Sequence, residues 1–172
     1  AKDNRLVVIV DSHEDNTIPP FGGVIDYLTF GGIYREVEIE VKPNIYLERV
    51  LVNADQSGKL LIHHHLAGNR SLSYEISHKL LFKDEVIKEF TSGEIIVDNP
   101  HLWSLETPHL YTLLSTLKTT SGTDLVITKF GFRSIRFDKS GFYLNDKRIK
   151  LVGLNRHQSY PYVGYAMPKG GQ

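Results

Sequence analysis

The sequence predicts an all-β chain dominated by a β-sandwich of seven strands. Three observations lead there. Short runs rich in Val, Ile, Leu, Tyr, Phe and Thr recur about every ten residues with turn residues between them. An apolar period of 3.6 holds almost nowhere for three turns, so helix is the minority state. The composition, 41% hydrophobic and 23% charged, is that of an ordinary folded domain rather than a disordered chain.

Taken in order, residues 6–10 form a fully apolar run expected as a strand, followed by a polar, Pro- and Gly-containing loop over 11–23. Residues 33–41 alternate, with Ile33, Arg35, Val37, Ile39 and Val41 on one side and Tyr34, Glu36, Glu38 and Glu40 on the other, as a strand with one buried and one wet face would. The sandwich strands are expected over 46–54, 59–67, 72–82, 85–90, 94–97, 111–119 and 124–136. Their turns carry suitable chemistry at Asp55-Gln56-Ser57-Gly58, Gly68-Asn69-Arg70-Ser71, Lys83-Asp84 and Ser121-Gly122-Thr123. Between the fifth and sixth of these strands, the segment from Asn99 to Pro108 is bounded by two prolines and holds the one tryptophan of the chain. It is expected to cross between sheets and to pin itself by burying Trp103 and Leu105. A final hairpin is expected from 141–144 and 148–152 around an Asn145-Asp146 turn.

Charge and cysteine content narrow the function classes. With 20 basic and 20 acidic side chains in 172 residues, no net positive field exists to attract nucleic acid or an anionic membrane. The absence of cysteine excludes a disulfide scaffold, a thiolate nucleophile and a cysteine-ligated zinc, and leaves the compartment open. The chain opens at Ala1 on an apolar run too short for a signal peptide or a membrane span, and it stops on loop-like residues after Met167. We therefore expect a piece of a longer polypeptide.

Several clusters could carry chemistry. In a strand His63 and His65 share a face, but no third ligand is identifiable for a metal, and a half-exposed sheet face accounts for them. Asp11, Glu14, Asp15 and Asp26 lie near paired glycines, without the spacing of an EF-hand loop. Glu36, Glu38 and Glu40 read as a solvated face, and no Gly-x-Ser-x-Gly elbow is present. Asn155-Arg156-His157 stands apart, because it follows the apolar strand 149–152 through Gly153 and combines three distinct hydrogen-bonding patterns with a group that titrates near neutral pH. A binding loop, or an ion-pair anchor beside a satisfied histidine, would both account for it.

The run Asn155-Arg156-His157-Gln158-Ser159-Tyr160-Pro161, preceded by Leu151-Val152-Gly153-Leu154, closely resembles the first signature of glycoside hydrolase family 2, the β-galactosidase and β-glucuronidase family. Gly31-Gly32-Ile33-Tyr34-Arg35-Glu36-Val37 resembles the last strand of that family's sugar-binding jelly roll. The segment from Pro100 to Tyr111 resembles its Pro-x-Leu-Trp-Ser-x-Glu-x-Pro-x-Leu-Tyr stretch, and Gly131-Phe132-Arg133 the Gly-Phe-Arg that ends its immunoglobulin-like domain. The loop Ile18-Pro19-Pro20-Phe21-Gly22-Gly23 and the Gln158-Ser159-Tyr160-Pro161 variant lean toward the β-galactosidase branch.

The resemblance implies the end of a jelly roll over 1–41, an immunoglobulin-like β-sandwich over 42–137, and the truncated start of a TIM barrel over 138–172. About 35 residues after Phe137 fall far short of the roughly 250 a barrel needs. It also implies a parent that is a retaining β-galactosidase of bacterial carbohydrate metabolism, cytoplasmic or periplasmic, using magnesium and sodium and assembling as a homo-oligomer. The family's catalytic glutamates lie on later barrel strands, the first of them after an asparagine. No Asn-Glu pair occurs here, so the chain is expected to lack catalytic residues and to be silent alone. His157, held by Asn155 and Arg156, and Asp26 are the implied substrate-binding residues, Asp26 contacting a sugar hydroxyl or a sodium ion. The galactoside and the rest of the same polypeptide are the implied partners. A free-standing carbohydrate-binding or adhesion module is the competing expectation, and it requires an exposed aromatic platform.

Overall fold

The computed structural model describes residues 3, 5–18, 21–22, 30–120, 122–168 and 170. It divides into two compact units, one made of residues 1–39 and 153–172 and the other of residues 40–152.

The unit 40–152 is all β. Its strands are β1 (Ile45–Ala54), β2 (Lys59–Gly68), β3 (Tyr74–Phe82), β4 (Glu85–Phe90), β5 (Glu94–Ile96), β6 (Tyr111–Thr119), β7 (Gly122–Phe130), β8 (Ile135–Asp138), β9 (Gly141–Leu144) and β10 (Lys147–Ile149). Antiparallel sheets of order β1-β2-β5 and β4-β3-β6-β7 face each other. The order differs from an immunoglobulin constant domain in the fourth strand, which pairs with the third rather than the fifth. The inner faces supply a single core: Ile45, Leu47, Val50, Leu60 and Ile62 from one sheet meet Leu80, Tyr111, Leu113 and Leu117 from the other. Strict alternation along β6 puts Tyr111, Leu113, Ser115 and Leu117 inward.

In β1 the alternation changes phase. Ile45 and Leu47 point in, and so do Val50 and Ala54, because the register with β2 shifts between Leu47 and Arg49. A bulge there adds one residue and restores the apolar side chains to the core.

Turn chemistry closes the hairpins. Lys83-Asp84 and Asn145-Asp146 both hold positive φ at both residues, the geometry of the two-residue turns that match strand twist. Gly58 is required for a different reason. Its φ is +87°, and a Cβ there would stand 2.0 Å from the Val97 carbonyl oxygen, which the β2–β5 connection brings against it.

Asn145 also ties the last hairpin to the sandwich. Its side chain accepts from the Ser134 amide and donates to the Trp103 carbonyl, each at 3.0 Å. Asn145→Ala removes both bonds at a left-handed position and is expected to lower stability by about 2 kcal/mol in thermal or denaturant unfolding.

Three expectations need correction. Residues 6–10 and 33–41 form no ladder among the described residues, and their apolar side chains stand in solvent, Ile39 at 81% exposure. An apolar run marks a face that needs burial without supplying the partner whose N–H and C=O groups would make it a strand. The single strand expected over 124–136 is two strands, β7 and β8, that belong to different sheets. Between them the chain leaves the sheet so that Phe132 can fill the end of the core, bridged to Leu102, while Gly131 lets the backbone pass Trp103. Within the crossover, Leu105 is 61% exposed and Trp103 half-buried, and it is Leu102 that packs on the core. Trp103 is pinned by its amide, which donates to the Phe132 carbonyl at 2.9 Å, and by Arg133 lying 4.9 Å over its ring.

No helix is long and apolar enough to cross a membrane among the described residues.

Candidate functional site

The unit 1–39 with 153–172 contains a cavity of about 370 Å³ lined by Tyr34, Arg35, Arg156, His157, Gln158, Ser159 and Tyr165. Arg35 organises one wall. Its Nη1 donates to the Tyr34 and Tyr165 carbonyls, each at 2.9 Å, so residues distant in sequence are locked side by side. Tyr165 also packs edge-on against Phe30 at 4.9 Å and leans on Tyr34 at 6.0 Å.

The other wall is the segment after Gly153, which has no regular structure up to Ser159. It is bounded by a tight turn in which the Tyr160 and Gly164 amides and carbonyls exchange bonds of 3.0 Å. Arg156 reaches that turn, donating to the Tyr160 hydroxyl and lying 5.5 Å over its ring. Arg156 thereby keeps its side chain over the turn, and His157 is the next residue of the lining.

Of the residues singled out from sequence, Arg156 and His157 line this cavity, and Asn155 is exposed beside it and is not part of the lining. Asp26 lies outside the described residues. Sequence reasoning missed Tyr34, Arg35 and Tyr165 as wall residues. Tyr34 and Arg35 sit inside the Gly-Gly-Ile-Tyr-Arg motif, which was the available signal.

The lining combines guanidinium, imidazole, amide, hydroxyl and phenol groups. Such a set suits a ligand carrying many hydroxyls, each both donor and acceptor. Among the described residues no Asp or Glu lines it. Glycosidase chemistry needs two carboxylates across the scissile bond, and this lining supplies neither.

Nor does the histidine run make a metal centre. His63 and His65 are exposed on the outer face of β2 while His64 points inward, and no group of three or more His, Cys, Asp or Glu is placed to hold a metal among the described residues.

Residues 37–133 match the profile of the family described as Glycosyl hydrolases family 2. The chain belongs to that family. Among its relatives are the β-galactosidases of Thermoanaerobacterium thermosulfurigenes, 39% identical over 96% of this chain and 26% of that protein, and of Rhizobium meliloti, 35% identical over 96% and 24%. This family 2 chain thus spans about a quarter of the length of the curated relatives it matches. Among solved structures, the apo β-glucuronidase 3 of Bacteroides uniformis superposes with a TM-score of 0.76 at 28% identity, over 94% of this chain and 21% of that one.

Proposed function

We propose that this chain is part of a retaining β-galactosidase, to which it contributes a structural immunoglobulin-like sandwich and one wall of the sugar pocket. The 39% identity to a β-galactosidase over 96% of the chain carries this reading. On it, residues 1–41 close a jelly roll, 42–137 form the sandwich and 138–172 open a TIM barrel. The catalytic glutamates belong to barrel strands outside this sequence, in which no Asn-Glu pair occurs.

His157 is assigned to hydrogen-bond sugar hydroxyls, gaining strength as the ring distorts toward the transition state, with Asn155 and Arg156 supporting its loop. Asp26 is assigned a sugar hydroxyl or a sodium ion. Hydrolysis would proceed through a glycosyl-enzyme intermediate on glutamates supplied by the rest of the polypeptide, in a homo-oligomer.

The chain alone is expected to release no nitrophenol from nitrophenyl β-galactoside. Extended to the length of its relatives it is expected to turn the substrate over, and His157→Ala in that longer protein is expected to lower kcat/KM on the order of 100-fold. Turnover by the isolated chain, or full activity in the variant, would sink the assignment. A free-standing sugar-binding module would need an aromatic platform. Trp103 does not offer one, since Arg133 lies over its ring, and Phe82 is stacked beneath His101 at 4.6 Å.

A further inference from the structure

The sandwich core holds one polar chain that the proposed function does not use. The phase of β2 that points Leu60 and Ile62 inward also points His64 inward, against His78 of β3. The two Nε2 atoms are 3.2 Å apart and the rings are nearly parallel, 7° between planes. On its other side His78 meets the Ser115 hydroxyl of β6, Nδ1 to Oγ at 3.0 Å. His78 is 1% and Ser115 0% exposed, so the hydroxyl is closed to any substrate.

The surroundings are apolar. Phe90 of β4 lies opposite His78 and 5.1 Å from its ring, Val50 of β1 is opposite His64, and Val126 of β7 is opposite Ser115. The charged and titratable groups of the packed strands are turned away or committed. His63 and His65 are on the outer face of β2, Glu48 and Arg49 of β1 are exposed, and Lys79 of β3 pairs outside with Glu89 of β4. Lys88 of β4, Glu75 of β3 and Lys118 of β6 are exposed, and Glu94 of β5 pairs with Lys59. The buried carboxylate of β7, Asp124, is held by the Leu47 amide and Lys42.

We propose that His64, His78 and Ser115 form a proton-gated latch across the sandwich, closed when both imidazoles are neutral and opened by acid. In the neutral state one N–H lies between the two Nε2 atoms. Either His64 donates to His78, whose Nδ1–H then donates to Ser115, or Ser115 donates to His78, whose Nε2–H then donates to His64. One added proton leaves a buried charge with no carboxylate partner. Two put a hydrogen on each Nε2, face to face, and the bond between the sheets is lost.

Burial first, and then the neighbouring His64, hold His78 down to a pKa of about 4. Burial, followed by His63, lowers His64. Because the folded values lie below the ordinary one near 6.5, the unfolded chain binds protons first. The stabilisation is complete above that value and fades as pH falls toward about 4.

The test is urea unfolding of the chain at pH 7.5 and 5.0, followed by Trp103 fluorescence. The folded-to-unfolded ratio is expected to drop on the order of tenfold more in the natural chain than in His78→Phe, with His63→Gln behaving as the natural chain. Equal pH dependence in the natural chain and His78→Phe would overturn the proposal. Should His78→Phe fail to fold, imidazole NMR of the natural chain decides. His78 still neutral at pH 5 supports the latch, and His78 protonated at pH 5 overturns it.

Discussion

Replacing Phe132 with alanine is expected to lower the unfolding free energy by about 3–5 kcal/mol, the range for emptying a fully buried aromatic site. Phe132 has no exposed surface and closes one end of the core, edge-on to Tyr111 at 4.9 Å and to Phe130 at 5.4 Å. Tyr111 in turn stacks on Phe82 at 4.7 Å and receives the His101 amide on its hydroxyl, so the cavity would open beneath an aromatic stack that also holds the crossover. The site can collapse little, because the Phe132 backbone is fixed by its bridge to Leu102 and by the Trp103 amide. Denaturant unfolding monitored at Trp103 measures the loss. Phe132→Leu retains most of the volume and is expected to cost under about 2 kcal/mol, and Leu105→Ala, on the exposed side of the same crossover, within about 0.5 kcal/mol. A Phe132→Ala loss as small as that of Leu105→Ala would mean that this end of the core bears no load.

The sandwich was legible because its strands announce themselves twice, by period-two alternation and by turn residues whose backbone demands are specific. Lys83-Asp84 and Asn145-Asp146 hold the expected turns, with left-handed backbone at both residues of each. What could not be read depends on contacts between distant segments. The bulge after Leu47 changes which parity faces inward, and only the register against β2 reveals it. The break at Gly131 was hidden inside a mixed run of strand-forming residues that a local window extends to Arg136. Residues 6–10 and 33–41 cluster or alternate as strands do, yet they form no strand ladder among the described residues.

The candidate site divides in the same way. Arg156 through Ser159 were visible as a contiguous polar segment after the apolar run 149–152, which was expected as a strand but is one only as far as Ile149, whereas Arg35 meets Tyr165 across 130 residues. The buried histidine chain was only half legible in the sequence. Apolar residues stand on both parities of β2, Leu61 on one and Leu60 and Ile62 on the other, and it is the burial of Leu60 and Ile62 that sends His64 to the core and its two neighbours out. The pair that the spacing suggests as ligands, His63 and His65, faces outward, and the residue between them is the one that reaches the core.

Asp124 is where the edge of one sheet is answered by the other, and its removal is the second large effect expected. The carboxylate is 6% exposed, and its Oδ2 accepts the buried Leu47 amide at 2.9 Å while Oδ1 meets Lys42 at 3.4 Å. Leu47 lies in β1, an edge strand, just where the bulge interrupts the ladder to β2. Asp124 therefore supplies from β7 the acceptor that no neighbouring strand offers there. In Asp124→Ala the Leu47 amide is left buried without a partner, at about 1–3 kcal/mol. Lys42 adds less, because it is partly solvated and keeps Glu40 at 3.3 Å, so the expected loss is about 2–4 kcal/mol in all. Asp124→Asn separates the two contributions. Its amide oxygen can still accept from Leu47 while the charge is gone, and it should cost about 1 kcal/mol, a loss that shrinks in high salt as the ion pair with Lys42 is screened. If Asp124→Asn and Asp124→Ala unfold at the same denaturant concentration, the charge rather than the amide bond is what Asp124 provides.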